Sequence, residues 1–513
     1  MLSPEQMAEL QPNHVFDPEV LGGSIKRRIV NPLLAAERAK CTFDRSECFT
    51  ALYDQETRAE VQTWQALVKK HPELMSSLTY YEKTREEKMV EWWDRFRIIM
   101  ADEEFRHLIT GNSTKKSKYF LWYYLFAGTN PMTLHMQMFT KSVAMLGSDD
   151  QVRTYMPQID HWQIIGCYAQ TELGHGSNVA GLETTATLDL TTDEFVIHTP
   201  TIKAVKFWPG NLGIQATHAV VFARCISLET DYGVQPFLVQ VRDMDTHEPL
   251  PGVLVGDIGT KLGYNIVDNG YLAFDHFRVP RKAILSRFVS ISKTGEFKMK
   301  ANPRIIYQIM VQTRILIASG VCHVLHGAAK IATRYAACRR QFATIKGSEQ
   351  ERQLLDYQLH QDTVSKNLCS AIVMQLVMGD LTVLEAQSSK EIKAGSFKML
   401  EILHHFSAGM KSIATEMCYA GCDELRQACG GSGFLLTSGI ADMWAEQAPT
   451  PTFEGVNVIM YQQSSRMLLK QAEKVRSGKA THEFFAYLAD SSQLLQSKST
   501  ATTVAEFLNA DHI

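Results

Sequence analysis

The spacing of apolar residues divides this chain into helical, β and again helical regions. Apolar residues recur at three- and four-residue steps over 54–70 and 81–100, which predicts amphipathic helices, and Pro131 looks like the start of another helix. From 164 to 287 the pattern changes to short β-branched and aromatic runs, such as Ala219-Val-Val-Phe-Ala223, separated by Gly, Pro, Asn and Asp. Because no helical pattern interrupts these runs, they predict an antiparallel barrel or sandwich.

Helical periodicity returns after Pro303. It predicts helices over 305–342, about 352–378, about 390–428 and, beyond the glycine-rich break at 429–433, about 455–474. We therefore predict an α+β multidomain fold. Its parts are an N-terminal helical domain (1–162), a central antiparallel β-barrel domain (163–290), a C-terminal helical-bundle domain (291–475) and a weakly structured tail (476–513).

Composition narrows the class of protein. The 513 residues exceed the length of one hydrophobic core, and the 45% apolar and 21% charged residues are ordinary globular usage. Basic and acidic residues nearly cancel, at 52 against 55, so no broad basic field exists to hold nucleic acid or an anionic membrane. The apolar runs are interrupted by charge or Gly, and we expect neither a membrane span nor a secretory signal.

The ten cysteines are scattered, with no CxxC pair. Cys418 and Cys422 are four residues apart and follow His404 and His405, a spacing that allows a metal cluster. Core thiols on one helical face are the simpler interpretation. We therefore expect no metal, and a soluble protein of a reducing compartment.

Four segments carry patterns that a ligand site would use. Tyr168–Asn178 offers hydroxyls and backbone N–H groups after a strand, although it could simply be a polar turn. Lys206–Gly213 places a Trp before a tight turn, where it could contact a flat ligand or be a buried strand-end Trp. In Gln427–Gly433, three glycines in four residues allow backbone amides to approach phosphates, or simply end a helix. In Pro451–Asn457, Glu454 precedes a helix, where it could favour the helix N-terminus or act as a base.

These segments, in this order and in this frame, resemble the acyl-CoA oxidase and dehydrogenase superfamily, and most closely its peroxisomal acyl-CoA oxidases. The resemblance runs from about 163 to 470 and more loosely through the N-terminal helices. Its most specific motifs are Tyr168-Ala-Gln-Thr-Glu-Leu-Gly-His-Gly-Ser-Asn178, Gly181-Leu-Glu-Thr-Thr-Ala-Thr187, Lys206-Phe-Trp-Pro-Gly210, Gly256-Asp-Ile-Gly259, Asp268-Asn-Gly270, Arg278-Val-Pro-Arg281 and Thr452-Phe-Glu-Gly455.

The resemblance implies bound FAD, with fatty acyl-CoA and O2 as substrates and trans-2-enoyl-CoA and hydrogen peroxide as products, the first step of peroxisomal fatty acid β-oxidation. It implies that Glu454 is the catalytic base and that Ser177 and Arg314 lie near the thioester and the base. The cofactor contacts that it implies are Thr171, Trp208, Gly210, Arg339, Gln427, Gly430 and Gly431. Because Arg339 and the 427–431 loop match positions that act on a neighbouring subunit's FAD, it also implies a homodimer or a dimer with a related oxidase subunit.

Three departures from the family pattern bear on these expectations. The family usually has Glu-Gly-Glu-Asn-Thr at the base, whereas this chain has Glu454-Gly-Val-Asn-Val458, which places an apolar residue near the base. Family oxidases usually continue with a second C-terminal helical domain, but only about forty residues follow Lys470. The chain ends in Asp511-His-Ile513 and not in a Ser-Lys-Leu type signal, so the peroxisomal location is implied by the family alone.

Two alternative functions remain open. An acyl-CoA dehydrogenase would pass its electrons to a flavoprotein carrier, although Lys206-Phe-Trp-Pro-Gly210 matches the oxidases better than the dehydrogenases' usual Trp-Ile/Ser-Thr-Asn. A truncated, non-catalytic chain would instead bind acyl-CoA or pair with a full-length oxidase subunit. The sequence does not determine which acyl-chain length or branching is preferred.

Overall fold

The computed structural model describes residues 32–74, 78–110, 130–300, 306–344, 347, 351–489 and 501–507. These residues form an N-terminal helical region, a central β domain and a C-terminal helical bundle, which confirms the predicted fold class. Pro303 and the terminal Asp511-His-Ile513 lie outside the described residues.

The N-terminal region consists of short helices. In its described part these are α1 (Pro32–Ala39), α2 (Arg45–Tyr53), α3 (Gln55–Lys70), α4 (Arg85–Ala101), α5 (Glu103–Thr110), α6 (Thr140–Leu146) and α7 (Asp149–Asp160). Thr84 and Glu87 form a capping box that starts α4. Pro131 lies in the turn directly before the helical segment that begins at Thr133, as predicted for a helix-start proline, and a π-helical turn, His135–Phe139, leads into α6. The helices share an aromatic core around Trp92 and Phe96.

The central domain is built mainly from two sheets that share one core, and its last two strands pair with each other in a small separate sheet. Its strands are β1 (Gly166–Ala169), β2 (Thr185–Asp189), β3 (Glu194–His198), β4 (Lys206–Phe207), β5 (His218–Ser227), β6 (Thr230–Gln240), β7 (Val253–Asp257), β8 (Gly270–Phe274), β9 (Phe277–Pro280), β10 (Val289–Ile291) and β11 (Phe297–Met299). One sheet has the order β1-β5-β2-β3-β9 with β6 on β5, and the other has the order β4-β8-β7. Phe195 of the first sheet and Leu272 of the second lie in the same buried cluster.

The β domain is confirmed, but it is not wholly antiparallel as predicted. β1 and β2 both run parallel to β5, and the remaining pairs in the two sheets are antiparallel. Short hairpins can produce only antiparallel pairs, whereas parallel neighbours need a long connection. The chain from β1 to β5 provides one, because it forms β2, β3 and β4 before it returns.

The C-terminal bundle contains three long helices. Its helices are α8 (Ile306–Cys338), α9 (Gln358–Lys393), α10 (Lys398–Ala428), α11 (Ile440–Gln447) and α12 (Asn457–Arg476), with the short ladder β12 (Arg340–Ala343) and β13 (Glu351–Gln353) between α8 and α9. The predicted end of α9 at Met378 is wrong, because Met378 and Leu381 are both buried in the bundle core and the helix continues between them. Cys418 and Cys422 lie in this core with their Sγ atoms 4.0 Å apart, among apolar side chains.

Two bundle helices contain longer apolar stretches than we expected from the sequence. By length and composition alone, Met310–Cys338 in α8 and Gln358–Ile392 in α9 could each cross a membrane, with mean hydropathy of 1.5 and 1.6. Both contribute side chains such as Leu325 and Met374 to the bundle core. Burial between helices favours the same apolar composition as a lipid environment does, and 61% of the apolar window in α8 but only 33% of that in α9 is buried inside the structure.

Part of the predicted weakly structured tail packs against the bundle. Residues Glu483–Leu488 form a 3₁₀ helix, and Val504–Phe507 forms the short helix α13. Phe485 is 1% exposed and belongs to a cluster with Met399 and Ile402 of α10. The proposed domain boundaries themselves stay predictions.

Candidate active site

Glu454 lies in a tight loop between α11 and α12 whose backbone is held in an unusual conformation. Its φ is 51° and that of Gly455 is 103°, both in the left-handed region. A Cβ on Gly455 would come within 2.6 Å of Met460 Cε, so a side chain there would have to displace Met460 as well as adopt a φ that favours glycine. The loop is closed by the Asn457 N–H, which donates to Pro451 O at 2.9 Å. These constraints fix the direction in which the Glu454 side chain leaves the backbone.

Two buried cations flank this loop. Arg314, which is 4% exposed, points its Nε to within 3.5 Å of Glu454 O and its Nη1 to within 3.3 Å of His404 Nδ1. Lys411 has no exposed surface, and its Nζ donates to Gly455 O at 2.8 Å and to Asn457 Oδ1 at 3.1 Å. The structure therefore brings together the predicted base and the predicted Arg314, and adds a lysine.

The electrostatics of the loop balance burial against these charges. Burial raises the pKa of the Glu454 carboxyl, and the Arg314 and Lys411 cations oppose that rise. Burial also lowers the pKa of Lys411 to about 8 and that of His404 to about 4. At neutral pH, His404 is uncharged and the lysine is mostly protonated.

A cavity of about 300 Å³ opens beside Glu454. All three regions of the fold contribute to its wall, and its lining is mainly apolar and aromatic, as in sites for apolar ligands. Representative lining residues are Leu134, Met138, Tyr264, Ile317, Phe453 and Glu454. Thr171, Trp208 and Ser177 do not line the described cavity.

The same cavity carries a polar edge on α11. The Tyr81 hydroxyl hydrogen-bonds to the carboxyl of Asp442, and burial raises the pKa of Asp442 to about 6. Glu446, one turn further along, accepts the Tyr264 N–H at 2.6 Å. These residues could not be identified from the sequence. Acidic residues four positions apart, such as Asp442 and Glu446, are typical of the exposed face of a short helix, and only the neighbouring elements show that they line the cavity.

Thr171 and Trp208 are brought together by a buried ion pair. Lys206 Nζ lies 2.9 Å from Glu172 Oε1, and both side chains are fully buried. Glu172 also accepts the Thr184 N–H at 3.0 Å, and Lys206 donates to Phe222 O at 2.6 Å. Beside the pair, the Phe207 N–H donates to Thr171 O at 3.0 Å. The predicted Thr171 segment and the predicted Trp208 segment are therefore neighbours at the end of β1.

Trp208 is held open to solvent. Its φ is 85°, its side chain is 54% exposed, and its carbonyl accepts Asn269 Nδ2 at 2.6 Å. It is thus not the buried strand-end Trp of the alternative interpretation. Close packing favours glycine at position 210, because a Cβ on Gly210 would lie 3.0 Å from Leu134 Cγ and Val267 Cγ1.

The remaining predicted residues lie on the surface. Arg339 is exposed at the end of α8, and Gln427, whose Nε2 donates to Asp423 Oδ2 at 2.8 Å, is exposed at the end of α10. Gly430, with φ of 58°, and Gly431 are also exposed, and no described atom lies within 4 Å of a Cβ built on either one. Ser177 is exposed in the loop that follows Thr171.

Lys411 is the main residue that the sequence analysis missed. One signal was present, since Lys411 stands on the face of α10 that also carries Ala408, Thr415 and Cys418, all buried. A charged residue on an apolar stripe needs partners in the fold. Which partners it has could not be read from the sequence, because Gly455 is more than forty residues away.

Comparison with known proteins gives matches along most of the chain. Residues 46–165 match the acyl-coenzyme A oxidase N-terminal family, residues 167–277 the acyl-CoA dehydrogenase middle domain, and residues 307–469 the acyl-CoA oxidase C-alpha1 domain. The chain is 43% identical over 382 residues to the peroxisomal acyl-coenzyme A oxidase 1 of Arabidopsis thaliana, a match that covers 74% of this chain and 57% of that protein. The chain thus spans less than two thirds of the length of this relative.

Two further matches cover more of the related proteins. Identity to acyl-coenzyme A oxidase acox-1.1 of Caenorhabditis elegans is 37% over 466 residues, which is 90% of this chain and 69% of that protein. The crystal structure of acyl-CoA oxidase-1 from Caenorhabditis elegans complexed with FAD and ATP superposes with a TM-score of 0.84 at 34% identity, covering 95% of this chain and 72% of that one. The chain therefore belongs to the acyl-CoA oxidase family.

Proposed function

We propose that this protein is an FAD-dependent acyl-CoA oxidase. It would oxidise fatty acyl-CoA to trans-2-enoyl-CoA and reduce O2 to hydrogen peroxide, in the first step of peroxisomal fatty acid β-oxidation. The observation that carries the proposal is the placement of Glu454, a carboxylate between two buried cations on the wall of a mainly apolar cavity. Family membership and the names of the relatives support the same activity.

Glu454 fits the role of the base. The α-proton of a thioester is far less acidic than a carboxylic acid, so a base with a raised pKa removes it more readily. Burial raises the pKa of Glu454 in the required direction, while the Arg314 and Lys411 cations oppose part of that rise and favour the ionised carboxylate. The strained backbone at Glu454 and Gly455 fixes the direction in which the Glu454 side chain leaves the loop, so this direction is already set before substrate binds.

The cavity fits an acyl chain. Leu134, Met138, Ile317 and Phe453 offer apolar surface next to Glu454, so a bound hydrocarbon chain would exclude water from the carboxylate. Arg314 lies too deep to reach solvent and holds the backbone of the base, which favours a role in the site over one in binding CoA phosphates. Ser177 remains a proposed substrate contact on the exposed loop.

The predicted cofactor residues fit FAD. Trp208 presents a large, exposed aromatic face on a backbone that the Asn269 contact keeps fixed, as a flat heterocycle requires. Thr171 is held beside it by the Phe207 N–H. When bound, FAD would accept a hydride from the β-carbon and pass the electrons to O2. The chain's own part is to orient the substrate, remove the α-proton at Glu454 and keep water out.

The surface residues support a shared cofactor site. Arg339 and the exposed glycines Gly430 and Gly431 do not line the described cavity beside Glu454, yet an arginine and open backbone amides suit a diphosphate. Large apolar side chains are exposed nearby in sequence, including Phe342 at 76% and Phe434 at 81%. We therefore propose a homodimer, or a dimer with a related oxidase subunit, and a peroxisomal location on the strength of the relatives' names.

One assay separates this function from its alternatives. The purified chain is expected to carry a flavin spectrum that bleaches when fatty acyl-CoA is added without O2, and to form peroxide in air. Bleaching that persists in air, with reduction of an artificial acceptor, would favour an acyl-CoA dehydrogenase. Acyl-CoA binding with neither flavin nor bleaching would favour a non-catalytic partner subunit.

The variant Glu454→Gln tests the base. It keeps the shape and burial of the side chain but cannot accept the proton, so turnover should fall by at least about 10³-fold while flavin content stays unchanged. Glu424→Gln, also on α10, is the matched control, because its side chain is 41% exposed and pairs with Lys366 away from the cavity. Near-normal turnover in Glu454→Gln would overturn the assignment of the base.

A further inference from the structure

Lys411 is a fully buried cation, and proteins rarely bury a lysine side chain completely. Its side chain has no exposed surface, although it stands in the middle of α10 among apolar and small residues. Burying an ammonium group costs several kcal/mol unless it gains strong partners. Its partners here are two neutral oxygens, Gly455 O and Asn457 Oδ1, which belong to the loop of the proposed base.

The amide of Asn457 connects this lysine to the helix that carries it. Asn457 Nδ2, with two N–H groups, lies 3.0–3.2 Å from three acceptors, Ser412 O, Thr415 Oγ1 and Glu416 Oε1, and its Oδ1 accepts from Lys411. The glutamate loop is therefore fastened to α10 by two residues. The carbonyl that accepts from Lys411 belongs to Gly455, the residue directly after Glu454.

We infer that Lys411 is a positioning residue for Glu454: it fixes the strained loop through Gly455 O and supplies positive charge that favours the ionised form of the buried carboxylate. This inference rests on the proposed function of Glu454 as the base. Lys411 does not line the cavity and its hydrogen bonds go to the loop of Glu454, so it acts through the carboxylate and its backbone.

The charges around Glu454 come from three elements. Arg314 of α8 and Lys411 of α10 both lower the pKa of its carboxyl, against the burial that raises it. His404, also on α10, contacts Arg314 and is neutral near pH 7, and Tyr168 of β1 is a buried phenol whose pKa is raised by burial and by Glu454. Glu416 of α10 favours the charged form of Lys411. Lys411 is thus one of two cations that oppose the burial of the base.

Three substitutions separate the charge of Lys411 from its hydrogen bonds. Lys411→Arg keeps the charge and the donors, Lys411→Gln keeps a donor for Gly455 O without charge, and Lys411→Met keeps neither. Lys366→Met is the matched control, because Lys366 is an exposed lysine that pairs with Glu424 elsewhere in the bundle. Flavin content and thermal unfolding are measured first, so that only folded holoenzyme is compared.

The readout is the pH dependence of kcat/KM. Below its pKa the carboxyl of Glu454 is protonated and inactive as a base, so this pKa sets the acid limb of the profile. Removing an opposite charge raises the pKa of a carboxyl, and we expect the acid limb of Lys411→Gln to move upward by about one pH unit. Lys411→Arg and Lys366→Met should keep the wild-type limb. Lys411→Met should show the same shift as Lys411→Gln and a further loss of kcat of about tenfold or more, because the loop is also released.

A second measurement does not depend on turnover. Infrared difference spectra of the holoenzyme, with Glu454→Gln as the reference, follow protonation of the Glu454 carboxyl directly as pH is lowered. The midpoint should rise in Lys411→Gln in step with the kinetic limb. Coincident infrared titrations and kinetic limbs for wild type and Lys411→Gln would overturn the role of Lys411. The proposed function would fail in a different way: the wild-type flavin would not bleach with fatty acyl-CoA, or Glu454→Gln would turn over normally.

Discussion

At the scale of single residues, the loop at Glu454 shows how backbone geometry prepares a side chain for chemistry. A positive φ is costly for Glu454, whereas Gly455 adopts one readily, and a side chain at Gly455 would also have to displace Met460. The loop is maintained by Lys411 from one side and by the Asn457 N–H from within. Strain of this kind persists only where the surrounding structure over-determines it.

Gly455→Ala tests whether this geometry matters. The new methyl group would both strain the backbone and collide with Met460, so we expect a loss of about 2–4 kcal/mol of unfolding free energy and a fall in kcat/KM of at least about tenfold. Denaturant unfolding and steady-state kinetics measure the two effects.

Gly478→Ala is the control for that substitution. Gly478 also has a positive φ, of 66°, but a Cβ there would meet open space. It should cost about 1–2 kcal/mol and leave kcat/KM unchanged. If Gly455→Ala behaved in the same way, the close fit against Met460 would have no part in holding the base.

Residue roles were predictable from the sequence only where the residue type itself carries the chemistry. Glu454 and Trp208 stand in glycine- and proline-containing segments that are recognisable in the sequence, and both have a positive φ in the structure. Lys411 and the Glu172–Lys206 pair were hidden, because their role depends on burial. A lysine looks alike in sequence whether it is solvated or enclosed.

At the scale of elements, the Glu172–Lys206 pair joins three strands of the β domain. Lys206 begins β4, Glu172 follows β1, and the carbonyl that Lys206 also binds, Phe222 O, belongs to β5. The pair crosses between the two sheets of the domain, where a hydrophobic contact alone would not define the register of so short a strand. Burial lowers the pKa of Lys206 to about 8, yet Glu172 keeps the pair ionic at neutral pH.

Lys206→Met should be strongly destabilising. It leaves the Glu172 carboxylate buried without its cation, which typically costs about 3–5 kcal/mol. Because Phe207 and Trp208 follow directly, flavin content should fall with it. Adding Glu172→Gln should restore part of the unfolding free energy, since the uncompensated charge is then removed.

The control for this element is an exposed lysine. Lys298→Met on β11 removes a cation whose side chain is 66% exposed, and it should change the unfolding free energy by less than about 0.5 kcal/mol. An equal loss in Lys206→Met and Lys298→Met would mean that the buried pair does not organise the sheets.

Helix boundaries show what local patterns leave undecided. The end of α10 at Ala428 was predicted, because glycines follow it directly. The end of α9 was placed too early, since Gly379 tolerates a helical conformation when Met378 and Leu381 are held in a core. Tertiary packing there outweighs the intrinsic cost of a glycine in a helix, which is about 1 kcal/mol.

At the scale of the whole molecule, the proposed cofactor site is divided between distant surfaces. Thr171 and Trp208 belong to the β domain, whereas Arg339 and the glycines at 430–431 lie at exposed ends of bundle helices. Two subunits that exchange these surfaces would complete each other's site. The exposed Phe434 beside the glycines would be covered in such an assembly.

Light scattering of the holoenzyme is therefore expected to give twice the mass of one chain. Arg339→Ala should lower the flavin content severalfold without dissociating the dimer, because a diphosphate contact is lost but the apolar interface remains. Arg153→Ala, on the exposed face of α7, is the control and should retain full flavin. A monomer with a full complement of flavin would contradict the shared site.

The sequence by itself determined the order of helical and β regions and the segments that carry the proposed base and cofactor residues. Both follow from local information, since the period of apolar residues depends on the geometry of one element and a motif occupies one stretch of chain. Only the tertiary structure decided that β1 and β2 lie parallel to β5, that Lys411 reaches Gly455, and that three regions enclose one cavity. Those contacts join residues far apart in the chain, and they are selected by how well whole surfaces pack together, which no single segment encodes.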